Sequence, residues 1–133
     1  MFHHFHDARH PAGQGALSPT NFEDMIDWLK ERYCLLNADE YQHGVENNCL
    51  DISDVCLSFD DALLCQYEIA APIMKRRKLK AFFFLYSSPF SGKPDYLELY
   101  RYFRTVAYKH VEDFYSVFFS QVQTLFPSEF DQS

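Results

Sequence analysis

The chain has 133 residues, a formal net charge of −7, and 47% hydrophobic and 18% aromatic residues. That apolar content excludes a disordered, solvating chain and suits a single domain, while the acidic balance argues against nonspecific nucleic-acid binding, which needs phosphate-neutralising Lys and Arg. No apolar run approaches the ~20 residues of a membrane helix, and Met1-Phe2-His3-His4-Phe5-His6 opens no signal peptide, so a cytoplasmic protein with no membrane span is expected.

In chain order, a short strand is expected near residues 2–6, followed by a loop at Pro11-Ala12-Gly13-Gln14-Gly15. Thr20 and Glu23 fit a capping box, and Phe22, Met25, Ile26, Leu29 and Tyr33 recur at helical spacing, so a helix is predicted over about 20–33. Residues 34–54 read as connection with one short helix near 38–43. Val55-Cys56-Leu57-Ser58-Phe59 reads as a buried strand. A helical stretch over 62–78 contains Pro72, which removes a backbone donor and should kink or divide it. The basic run Lys75-Arg76-Arg77-Lys78 reads as a solvated helix end, where cations complement the helix dipole. Residues 80–86 form a second apolar strand, completing a strand–helix–strand unit that implies parallel pairing. A loop over 87–94 leaves the C-terminal end of that strand. Helices are predicted over 95–108 and 111–126, and a frayed tail from Pro127 onward. The four cysteines, Cys34, Cys49, Cys56 and Cys65, form no Cys-x-x-Cys pair and are expected as reduced thiols.

Asp60 and Asp61 follow directly on the apolar strand, where charge is costly unless it is paired or binds a cation. At a strand's C-terminal end two adjacent carboxylates can turn into one pocket, one holding a metal and the other taking a proton from water. The competing reading is structural: either Asp caps the helix that begins near Ala62.

The surrounding pattern favours the first reading. Val55-Cys56-Leu57-Ser58-Phe59-Asp60-Asp61-Ala62, then Ala70-Ala71-Pro72-Ile73-Met74, then Leu79-Lys80-Ala81-Phe82-Phe83-Phe84-Leu85, resembles the opening of the polysaccharide deacetylase (NodB homology) family. The likeness covers about residues 2–90 and includes the Phe-led helix at Asn21-Phe22-Glu23-Asp24-Met25. The resemblance implies an α/β fold, the N-terminal part of a deformed (β/α) barrel with parallel strands and crossover helices. It implies metal-dependent hydrolysis of an N-acetyl group on a sugar or glycan substrate. Asp60 matches the family's general base and Asp61 its metal-binding Asp, the metal being a divalent, zinc-like ion. Ser58 stands where the family usually has Thr, and Ala62 where it has Gly. The family's later His-x-x-x-His ligands find no match, since His110 is the only histidine after residue 61. The chain therefore reads as the first part of such a domain, and a catalytically incomplete form is one alternative.

His4 and His6 share a strand face and are candidate substitute ligands; the competing reading is ordinary polar histidines at a strand end. Tyr96, Tyr100, Tyr102 and Tyr108 could line a sugar cleft, although their helical spacing favours packing between helices. The aromatic helices over 95–126 also carry the second alternative, a non-enzymatic module that meets its partner through those rings.

Overall fold

A computed structural model describes residues 1–85 and 87–127. The protein is mixed α/β and divides into two compact units, Met1–Lys93 and Pro94–Ser133. Residues 128–133, which include nearly all of the expected tail, lie outside the described residues. Among the described residues no helix is long and apolar enough to cross a membrane.

In the first unit, helix α1 (Pro19–Arg32) begins two residues earlier than a Thr20 cap would place it. Ser18 is the N-cap, its hydroxyl accepting from the Asn21 N–H at 3.1 Å, and Pro19 occupies the first turn, where its missing N–H has no helical partner to lose. Phe22 and Ile26, one turn apart, are the buried face of α1. The segment after α1 holds a strand that its composition concealed, β1 (Cys34–Leu36), followed by α2 (Ala38–Glu46). A reciprocal capping box closes the start of α2, in which the Glu40 carboxylate accepts from the Asn37 N–H at 2.7 Å.

The apolar run around 55–59 is divided between two pairings. β2 (Asp54–Cys56) runs parallel to β1, with Leu35 opposite Val55. β3 (Ser58–Phe59) runs parallel to β4 (Phe82–Phe83), with Phe59 opposite Phe83. On its other side Phe59 bridges Phe2 in parallel, so β3 is flanked on both sides. The hydrogen bonds from Phe2 N–H to the Ser58 carbonyl and from Phe84 N–H to the Phe59 carbonyl are each 2.8 Å. Leu57 and Phe59 are buried while Ser58 is only half-buried, so the strand shows one core face rather than two.

Pro72 does not kink a continuous helix. The helical stretch opens with a π turn over Gln66–Ala70, in which the Ala71 N–H reaches back five residues to the Gln66 carbonyl, and continues as α3 (Ala71–Arg76) with Pro72 in its first turn. α3 ends in a Schellman motif: Leu79 N–H bonds the Met74 carbonyl at 2.9 Å and Lys78 N–H bonds the Lys75 carbonyl at 3.2 Å. Lys78 takes the left-handed position at φ 54°, where glycine is usual. The basic run is solvated in part and paired in part. Arg76 bonds Glu23 at 2.7 Å, and Arg77 makes a forked ion pair with Asp27, which ties the end of α3 to α1.

The core of this unit joins Phe5, Phe22, Ile26, Leu57, Phe59, Cys65, Ile69, Ala70, Ile73 and Met74. At its centre Phe2, Phe5, Phe22 and Phe59 meet ring to ring, Phe22 edge-on to Phe5 at 5.0 Å and to Phe2 at 5.2 Å. The N-terminal segment contributes Phe2 and Phe5 to that cluster through two isolated bridges, to Phe59 and Leu17, rather than through a continuous strand.

The second unit is a pair of helices. α4 (Tyr96–Ala107) is capped by Asp95, whose carboxylate accepts from the N–H groups of Leu97 and Glu98. α5 (Val111–Leu125) carries Glu112 and Asp113 in its first turn, where negative charge complements the helix dipole. Phe114 is the buried residue of the pair, held edge-on by Tyr100 at 5.2 Å and Tyr108 at 5.3 Å. Tyr100 and Tyr108 are thus packing residues, as helical spacing suggests, whereas Tyr96 and Tyr102 are 76% and 60% exposed.

Candidate functional site

The order of strands puts Asp60 at the C-terminal end of β3, the strand flanked on both sides. Its N–H bonds the Phe2 carbonyl at 3.3 Å, so the backbone is still in the sheet there. It leaves the sheet at the next two residues. Asp61 and Ala62 both have positive φ, 73° and 53°, forming a tight turn before helical structure resumes at residue 64. Asp tolerates that region through its short polar side chain, but Ala has no such compensation. Ala62 stands where the resemblance leads one to expect glycine, and it is held in a left-handed conformation that glycine would adopt freely.

Both carboxylates are half-buried. The Asp61 carboxylate does not wait for the following helix: its Oδ2 lies 2.9 Å from Nδ1 of His3, 58 residues earlier in the chain. A carboxylate only accepts, so His3 Nδ1 carries the proton and donates it to Asp61. Among the N-terminal histidines, the ring of His3 comes to the carboxylate pair. His10 is placed elsewhere. Its Nε2 and the Arg9 guanidinium both reach Glu68, at 2.8 and 3.1 Å, pinning the loop after the N-terminal segment onto the π turn.

One further residue completes the frame. Gln66 is 2% exposed and is the one buried polar side chain among the described residues. Its amide nitrogen donates to the carbonyl of His3 at 2.9 Å and to the carbonyl of Asp60. Next to it, Cys65 accepts the Phe5 N–H at 3.4 Å. Two successive residues of the helical stretch thus hold the N-terminal segment against the end of β3. Glutamine inside an apolar helical pattern was the only sequence signal for this role.

Cys34 and Cys56 are poor nucleophile candidates. None of the four cysteines is in a disulfide. The Asp54 carboxylate, hydrogen-bonded to Cys34, raises that thiol above its ordinary value, and burial raises Cys56.

A divalent metal was tested against the donors present. Catalytic zinc usually takes three protein ligands and a water. Among the described residues no group of three His, Cys, Asp or Glu side chains converges to hold a metal ion. Asp61 and His3 offer two donor groups, so these side chains do not by themselves complete a metal site.

No protein-family model matches this sequence, and no curated protein or solved structure shows significant similarity to it.

Proposed function

We propose that the first unit is a polysaccharide deacetylase-like piece of a deformed (β/α) barrel, acting in hydrolysis of an N-acetyl group on a sugar. The observation that carries this reading is the position of Asp60 and Asp61 at the C-terminal end of a strand with parallel neighbours on both sides, where α/β proteins gather their reactive groups. In this reading Asp60 accepts the proton of the water that attacks the acetamide carbonyl. The carbon–nitrogen bond then breaks, acetate leaves, and the sugar amine takes up the proton. Asp61 is the carboxylate that the resemblance assigns to a divalent, zinc-like metal. The test is release of free amine from an N-acetylated chito-oligosaccharide by the purified chain, with and without added Zn²⁺. Turnover abolished by Asp60→Asn is the expected result. No release under either condition refutes catalysis by this chain.

A second reading, a catalytically incomplete or non-enzymatic interaction module, is favoured by the aromatic surface of the helical pair. Tyr96, Tyr102, Phe103, Phe119 and Phe126 are each more than half exposed, with Leu99, Val106 and Leu125 beside them in sequence. Scaled by these exposures, rings of about 150–250 Å² each offer roughly 440–730 Å², which approaches the ~800 Å² per partner of a stable interface once Leu99, Val106 and Leu125 are added, so a second copy of the chain is the occupant to test. A concentration-independent monomer in light scattering excludes it.

A further inference from the structure

We propose that Gln66 is the positioning residue of the carboxylate site, holding His3 and Asp60 at the spacing that lets His3 meet Asp61. Three observations converge on it. A side-chain amide buried to 2% exposure would be expensive unless both its hydrogens were used, and both are, on the carbonyls of His3 and Asp60. Those carbonyls belong to the two residues whose neighbours or side chains make the site. The His3 ring bonds Asp61 at 2.9 Å, and Asp60 immediately precedes Asp61. Finally, Gln66 opens a π turn, a widened helical turn found most often at functional positions, and the widened turn places the amide between the N-terminal segment and β3.

The chemistry is selective. Bridging two carbonyls needs two donor hydrogens on one planar nitrogen, which Gln has, Glu lacks when ionised, and Met lacks altogether. The N-terminal segment also meets β3 through the Phe2–Phe59 bridge and ring contacts, and the Phe5 N–H bonds Cys65, but these hold Phe2 and Phe5 rather than the carbonyl of His3. Without the amide, the His3 carbonyl and the Asp60 carbonyl lose a shared donor, and the geometry from His3 to Asp61 is no longer set at both ends. The assignment rests on the proposed site for its functional meaning, but its geometric content can be read without any substrate.

The experiment is ring-nitrogen NMR of His3 in the full chain at one fixed pH. Wild-type protein is expected to show the Nδ1-protonated tautomer bonded to Asp61, and Asp61→Ala, which removes the acceptor, to lose it. Gln66→Met is expected to lose it as well, although residue 66 bonds His3 at its carbonyl and not at its ring. Ile69→Val, a core substitution one turn away, is expected to keep it, which separates positioning from general loosening. Should Gln66→Met not fold, Gln66→Asn takes its place with the same expectation, because its amide is one methylene too short to span both carbonyls. A His3 signature unchanged in the Gln66 variant, unchanged in Asp61→Ala, or equally lost in Ile69→Val overturns the proposal. Failure of the amine-release assay with the His3 signature behaving as expected would instead refute only the deacetylase reading.

Discussion

Replacing Ala62 by glycine isolates one backbone term at the site. Ala62 has φ 53° and is exposed, so removing its methyl group sacrifices no packing. An L-residue in the left-handed region costs roughly 1–2 kcal/mol, which glycine relieves. Glycine also widens the unfolded ensemble, which opposes the gain by about 0.4–1 kcal/mol. The net expectation is stabilisation by about 0.5–1 kcal/mol. For a unit the size of Met1–Lys93 that corresponds to a rise in melting temperature of roughly 2–8 °C, read by circular dichroism. Lys78→Gly provides the calibration. Lys78 has φ 54° at the C-terminal Schellman position of α3 and is expected to give a gain of similar size. A gain at position 78 with no gain, or a loss, at position 62 would refute the left-handed turn after Asp60. The way the chain leaves β3 into the carboxylate site would then need another account.

Two further outcomes test the frame around that turn. Phe22→Ala removes the ring that meets Phe2, Phe5 and Phe59 at full burial, and is expected to destabilise the first unit by about 3–5 kcal/mol; a chemical-denaturation midpoint within error of wild type would contradict the cluster as described. The hydrogen bond from Arg77 holds the Asp27 carboxyl below its ordinary 3.8, so that pair stabilises fully above this value and loses its contribution as pH falls through the lowered native value. Arg77→Met should therefore melt below wild type by a constant margin from neutral pH to about pH 5, with the two curves converging below about pH 4. A margin that widens on acidification would rule out the pair as its source.

Much of the local structure was legible from residue order. Helical spacing of Phe22 and Ile26 located the buried face of α1, and the apolar runs over 55–59 and 80–86 contain the two shorter strands, Ser58–Phe59 and Phe82–Phe83, whose parallel pairing places Asp60. These features follow from local patterns, because the period of apolar residues reports directly which face of a helix or strand meets a core. Capping was less legible. Thr20 and Glu23 fit the capping pattern, yet Ser18 with Pro19 starts α1, since several polar residues in a row can each satisfy the first free N–H groups.

What only the tertiary structure decided lies in long-range pairing. The three residues of β1 are too few to show a period, and they are a strand because β2 lies alongside with Leu35 opposite Val55. Likewise strand alternation singled out His4 and His6, which share a face, and gave His3 no role. The bridge of Phe2 to Phe59 and the double hydrogen bond of Gln66 select His3 as the one that meets Asp61, across 58 residues of chain. The sequence alone determined that two adjacent carboxylates would end an apolar strand. Which partner stands beside them depended on contacts between distant segments, which no local period encodes.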